Sequence, residues 1–250
     1  MWSSLDVFSS AQAFQEEDLR GKTAVIIDVL RATSTIVTAL HNGAKGVIPV
    51  RDLGAASKIA QNLDSSRYLL CGEKDGQKIE GYHLGNSPLE YTPEKVAGKT
   101  LILNTTNGTI AITRSGLAEE IVIGSFLNLQ QVVDALRQTK NEVVLVCAGW
   151  RGRLSLEDLL CAGQIVYELT DGTLPENARD GAKVAFGLYE KYGEDLEDVV
   201  KTSNHAVRLR DIVGLEDVSY CCQVDTLAVL PVIDDGILVD RHGSKKIENQ

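Results

Sequence analysis

An internal repeat constrains this chain more than any other feature. Gly21-Lys-Thr-Ala-Val-Ile-Ile-Asp and Gly98-Lys-Thr-Leu-Ile-Leu-Asn-Thr open two copies of one pattern. Each copy runs into a hydroxyl-rich turn, Arg31-Ala-Thr-Ser-Thr-Ile or Thr106-Asn-Gly-Thr-Ile. A helical stretch and a short strand follow, Gly46-Val-Ile-Pro-Val or Glu120-Ile-Val-Ile-Gly, and a second helical stretch leads to a third strand, Arg67-Tyr-Leu-Leu-Cys-Gly or Glu142-Val-Val-Leu-Val-Cys-Ala-Gly. Short continuous apolar runs separated by helical lengths read as strands buried on both faces of a parallel sheet. Right-handed crossovers then lay the helices on those faces. The expectation is a layered α/β/α fold with a mostly parallel sheet built from two βαβαβ-like halves, about 21–95 and 98–150, inside an α/β domain over residues 1–150.

Residues 151–250 read as a helical and β-hairpin region packed compactly against that domain. Ser155-Leu-Glu-Asp158 fits a capping box that opens a helix. Residues 178–192 form a second helix ended by Gly193, and 196–213 one or two more. Val218-Ser-Tyr-Cys-Cys and residues 227–233 read as strands, with Asp234-Asp-Gly as the turn into a closing hairpin strand.

Composition narrows the function. With 44% hydrophobic and 24% charged residues, the 250-residue chain is neither disordered nor collagen-like. No apolar run approaches the ~18–20 residues of a membrane helix, and Met1-Trp-Ser-Ser-Leu-Asp lacks the basic start of a signal peptide. A cytoplasmic protein that does not engage membranes is expected. The 25 basic against 35 acidic residues, net −10, disfavour nucleic acid as a partner. Small anions stay accessible if a metal ion or local arginines reverse the field. The five cysteines, Cys71, Cys147, Cys161, Cys221 and Cys222, form no Cys-x-x-Cys pair and read as reduced and structural.

In open parallel sheets, ligands gather beyond the carboxyl ends of the strands. Asp28 closes the first such strand, where a carboxylate serves either as a ligand for a hard cation or as a helix N-cap. Arg31 reads as an anion clamp or a surface ion-pair partner, and Thr33, Ser34 and Thr35 stand where a helix N-terminus attracts phosphate. In the second copy, Asn104-Thr-Thr-Asn-Gly-Thr109 is an uninterrupted small polar loop in which Gly108 permits close ligand approach. It reads as an anion site or as an ordinary capped turn. Gly72-Glu73 introduces a long aperiodic stretch, so Glu73 is a candidate metal ligand or general base, with Glu80 and His83 as candidates for proton transfer. Arg151 and Arg153 flank Gly152 on another strand-end loop, and Asp158 reads as a capping residue or a ligand. Several familiar motifs fail: the P-loop glycine is replaced by Glu16 and Pro93 ahead of the two Gly-Lys-Thr segments, and no Gly-x-Ser-x-Gly or His-Glu-x-x-His occurs.

The motifs themselves resemble a known family. Ile26-Ile-Asp-Val-Leu-Arg-Ala-Thr-Ser-Thr-Ile, Gly72-Glu-Lys-Asp-Gly-Gln-Lys-Ile-Glu-Gly-Tyr-His-Leu-Gly-Asn-Ser-Pro, Asn104-Thr-Thr-Asn-Gly-Thr, and Val146-Cys-Ala-Gly with Ser155-Leu-Glu-Asp are similar to those of the 2-phosphosulfolactate phosphatases. The resemblance implies a Mg²⁺-dependent phosphoric monoester hydrolase that converts (2R)-2-phospho-3-sulfolactate to 3-sulfolactate and phosphate, a step of coenzyme M biosynthesis. On that expectation Asp28 and Glu73 are catalytic, and Asp28, Glu73 and Asp158 hold Mg²⁺. Arg31, Thr33, Ser34, Asn86, Ser87, Thr106, Asn107, Gly108, Thr109 and Arg151 then bind the small phosphorylated, sulfonated acid. A homo-oligomer is expected for a fold of this size.

Overall fold

Strands form where the repeat places its apolar runs. The computed structural model describes residues 2–243. In order come β1 (Leu5–Phe8), β2 (Thr23–Ile27), α1 (Ala32–His41), β3 (Gly46–Val50), α2 (Leu53–Ala60), β4 (Tyr68–Lys74), β5 (Gln77–Lys78), α3 (Pro93–Val96) and β6 (Thr100–Asn104). Next are α4 (Gly108–Arg114), β7 (Glu120–Gly124), α5 (Leu129–Gln138) and β8 (Val143–Cys147). The chain closes with α6 (Leu156–Leu169), α7 (Asp180–Tyr192), α8 (Leu196–Lys201), α9 (Asn204–Val213), α10 (Glu216–Cys221), β9 (Pro231–Asp234) and β10 (Ile237–Asp240).

All ten strands belong to one sheet of order β1-β8-β2-β7-β9-β10-β3-β6-β4-β5. The two sequence copies share it by exchanging their first strands. β2 lies between β8 and β7, the third and second strands of the other copy, and β6 lies between β3 and β4 in the same way. Neither copy can therefore complete its own sheet. The β9–β10 hairpin joins the two parallel blocks through antiparallel contacts to β7 and β3, each registered at a single pair, Val122 with Val232 and Leu238 with Val47. Successive antiparallel pairings make the blocks run in opposite senses. Five strand-to-strand steps separate β2 from β6, and at roughly 20–25° of twist each the direction turns by about 100–125°. The carboxyl ends of β2 and β6 thus converge instead of lying at opposite edges.

Alternation along the strands feeds a core on each face. Val25, Ile27, Val122, Val143 and Leu145 pack with α5, α6 and α7, whereas Ala24, Ile26, Ile123, Val144, Val146 and Leu103 pack with α1 and α4. Among the described residues no helix is long and apolar enough to cross a membrane. All five cysteines are free and buried.

Two strand expectations near the end of the chain need correction. Residues 218–222 fall in or against α10, because Asp217, Val218 and Cys221 are buried on one helical face and the spacing is not a strand's alternation. Residues 227–230 precede β9 and are tied to the loop before α5, with Leu227 N–H donating to the Leu127 carbonyl (2.9 Å) and Asn128 Nδ2 donating to the Val229 carbonyl (3.0 Å). The expected hairpin turn at residues 234–236 is present.

Leu238 is fully buried where the hairpin meets β3. Leu238→Ala should cost about 2–5 kcal/mol in denaturant unfolding and keep a single transition. A loss under about 1 kcal/mol would show the hairpin to be peripheral to the sheet.

Candidate active site

β2 is buried at every position and delivers Asp28 at its end. The turn into α1 is closed by side chains folding back on it. Asp28 N–H donates to Thr33 Oγ1 (3.0 Å), Thr33 N–H donates to the Asp28 carbonyl (3.0 Å), and Ser34 Oγ donates to the Val29 carbonyl (2.8 Å). Thr33 and Ser34, expected to bind substrate, thus lie under the turn with their hydroxyls engaged. The Asp28 carboxyl is pushed up to about 6, first by burial and then by the nearby Glu73 charge; His205 and the Ala32 amide pull the other way.

β4 continues past Gly72, where the sequence pattern ends the strand, so Glu73 is a strand residue. Its oxygens accept from two backbone amides, Thr106 N–H (2.7 Å) and Gly76 N–H (2.7 Å). The first bond ties β4 to the loop after β6. Gly108 explains how that loop reaches Asp28: a Cβ there would sit 2.7 Å from Asp28 Oδ2 and 2.5 Å from Ala32 Cβ. Thr109 N–H donates to Thr105 Oγ1 (3.1 Å). Of the amides in 106–109, those of Asn107 and Gly108 therefore have no protein partner among the described residues.

Arg31 is buried and doubly held, by Asp217 (Nη1–Oδ2 2.5 Å) and by the Gly76 carbonyl (3.0 Å). Ser87 Oγ donates to the other Asp217 oxygen (2.6 Å), and Thr35 Oγ1 donates to the Asn86 carbonyl (2.9 Å). The Asp-Val-Leu-Arg and Gly-Asn-Ser-Pro motifs thus meet at Asp217, which no motif singled out. Asn86 Oδ1 is buried without a hydrogen-bond partner among the described residues.

Asp158 lies behind Asp28, not beside it in the cleft. Its oxygens accept Val29 N–H (2.9 Å) and Gly149 N–H (3.1 Å), fastening the two strand-end loops together. Burial, with the Asp28 and Glu157 charges, holds its carboxyl well above the usual range. Its own N–H donates to Ser155 Oγ (3.4 Å), as the capping reading required. The preceding Glu157 accepts from or faces His205 Nδ1 at 2.9 Å, the His205 ring stacks on Trp150 (5.4 Å between centroids), and the Arg151 guanidinium covers Trp150 (4.7 Å).

These loops line one cleft. Asp28, Arg31, Glu73, Asn86, Thr106, Asn107 and Arg151 line it, so widely separated candidates converge. Trp150, His205 and Arg208 line it too, although the sequence reading did not single them out. Ser87, Thr109 and Asp158 support the wall without forming it. His83 is turned away, its Nδ1 accepting Leu70 N–H (2.9 Å), and Glu80 lines a neighbouring groove.

The donor set suits a hard cation. Asp28 and Glu73 present only oxygen to the cleft, and their like charges create an imbalance that a divalent ion relieves. Among the described residues no three His, Cys, Asp or Glu side chains converge as a ready-made cage. The fit is therefore that of Mg²⁺ held by one or two carboxylates together with substrate oxygens, not by a protein cage that includes Asp158.

Residues 8–236 match the family described as 2-phosphosulpholactate phosphatase. Three similar proteins each carry the name "Probable 2-phosphosulfolactate phosphatase". That of Caldanaerobacter subterraneus is 42% identical over 234 residues, covering 94% of this chain and 97% of its own. That of Thermotoga petrophila is 47% identical, covering 87% and 92%, and that of Clostridium acetobutylicum 41%, covering 93% and 98%.

A raised carboxyl makes the folded state bind more protons than the unfolded chain between about pH 4 and 6, so stability falls as pH rises through that window. In metal-free buffer Asp28→Asn should be more stable than wild type at pH 7 by an amount on the order of 3 kcal/mol, with the gap closing below pH 4. A pH-independent difference would remove the burial account. Gly108→Ala should destabilise by about 1–3 kcal/mol in the same denaturation assay and lower substrate affinity. Unchanged values would show that the α4 terminus does not press on Asp28.

Proposed function

The chain belongs to the 2-phosphosulpholactate phosphatase family, and from that premise we propose that it hydrolyses the phosphate ester of (2R)-2-phospho-3-sulfolactate with the help of Mg²⁺. The convergence of Asp28 and Glu73 with Arg31 and Arg151 in one cleft carries this reading. The substrate bears phosphate, sulfonate and carboxylate, so a net-acidic protein must gather local positive charge to accept it. Arg31 is fixed by Asp217 and Gly76 before substrate arrives, which avoids ordering a long side chain during binding. Arg151 and Arg208 at the cleft wall neutralise the outer acid groups. The backbone amides of Asn107 and Gly108 supply neutral hydrogen-bond donors to the ester.

When bound between Asp28 and Glu73, Mg²⁺ supplies Lewis-acid neutralisation of the phosphoryl oxygens. Water attacks phosphorus in line with the ester oxygen, and the Asp28 carboxylate, which lines the cleft, takes its proton. Glu73 is held in place by the Thr106 and Gly76 amides, which donate to its two oxygens. The buried reduced cysteines suit the cytoplasm.

Phosphate release measured on 2-phospho-3-sulfolactate, phosphoglycolate and phospholactate tests the reading. Release should require Mg²⁺, stop with chelator, and show its highest kcat/KM on the sulfonated ester. Asp28→Asn should lose at least about 10³-fold while remaining folded, and rapid quench with labelled substrate should leave no label on Asp28. Tight ester binding without Mg²⁺-dependent release would leave an anion-binding protein in place of a phosphatase.

A further inference from the structure

His205 lies outside every motif, yet it is built into the cleft more firmly than a surface histidine. It occupies the first turn of α9, whose N-cap Ser203 accepts Ala206 N–H (3.1 Å) and so fixes the turn. Its Nδ1 faces Glu157 Oε1 at 2.9 Å, and the Glu157 side chain is 1% exposed. Stacking on Trp150 sets the plane of the ring. Nε2 has no protein partner among the described residues, and the ring lines the same cleft as Asp28. An oriented imidazole with a buried carboxylate on one nitrogen and a reaction cleft on its open side is the arrangement of an acid–base group held by an orienting partner.

Glu157 has little other reason to be buried. Burial raises its carboxyl, but the His205 hydrogen bond and charge, with its own amide and Ser155, outweigh this and hold it below the usual range. Its second oxygen, Oε2, finds no partner among the described residues. An ionised Glu157 accepts from His205 Nδ1, which fixes the proton on Nδ1 and leaves Nε2 as the working nitrogen.

Resting on the phosphatase reading above, we propose that His205 is the proton donor to the departing alkoxide and that Glu157 is its positioning residue. The bond from water oxygen to phosphorus forms, and the proton of that water goes to Asp28. The bond from phosphorus to ester oxygen breaks, its electron pair stays on the ester oxygen, and that oxygen takes the proton from His205 Nε2. Solvent later returns a proton to His205 and removes the one on Asp28. An alkyl ester needs such a donor because its alkoxide is a poor leaving group; a nitrophenyl ester does not.

Leaving-group dependence tests the assignment. Full-length wild type, His205→Asn, His205→Gln and Glu157→Gln, each checked for an intact thermal transition, are assayed with Mg²⁺ on 2-phospho-3-sulfolactate, phospholactate and p-nitrophenyl phosphate. Both His205 variants should lose about 10²–10⁴-fold in kcat on the alkyl esters with KM little changed, and less than about tenfold on the nitrophenyl ester. Glu157→Gln should show the same selectivity with a smaller loss. Equal losses on both ester types, or none on either, would overturn the role of His205 and leave the phosphatase reading standing. A wild type that splits no alkyl phosphate would overturn the phosphatase reading itself.

Discussion

Asp28 and Glu73 carry like charges into one cleft, and the protein must hold them there against both desolvation and mutual repulsion. Each is kept by backbone amides, Ala32 for Asp28 and Thr106 with Gly76 for Glu73. These bonds offset part of the burial cost without neutralising the charge. What remains is an electrostatic demand of the kind that a hard cation relieves. Arg31 lines the same cleft with its guanidinium held in place by Asp217.

Convergence of the loops depends on the exchanged first strands and the twist of the sheet. Asp28 belongs to one copy of the repeat and the 104–109 loop to the other, yet Gly108 stands against the Asp28 carboxylate. Asp158 then ties the turn after β2 to Gly149 after β8, and Asp217 ties Arg31 to Ser87. The site is therefore clamped from beneath by two further carboxylates, each satisfied by the loops it joins. Substrate meets a cleft already in place, and ordering of Arg31 is complete before binding.

Much of this was legible in the chain. The six strands of the repeat and the gathering of Asp28, Arg31, Glu73 and Asn107 follow from apolar runs that end in polar loops, although full burial holds for β2 and β8 and only in part for β3, β4 and β6. Strand exchange was not legible, because periodicity fixes elements and not their neighbours. Thr33, Ser34 and Ser87 have the composition of ligand-binding residues, but hydroxyls near strand ends serve backbone amides and carbonyls equally well, and here they do. His205, Glu157 and Asp217 lie in helices with ordinary amphipathic spacing. Only the burial of Glu157 and Asp217, charges placed where a helix packs inward, set them apart. The aromatic and cysteine content of residues 218–222 imitated a strand over a run too short to show its helical period.

Carbon-13 NMR titration of the Asp28 carboxyl in metal-free protein, in wild type and in Glu73→Gln, tests the central electrostatic claim most directly. The account predicts a midpoint of about 6 in the wild type and a lower one once the Glu73 charge is gone. An ordinary carboxylate midpoint of about 4 in both proteins would contradict it.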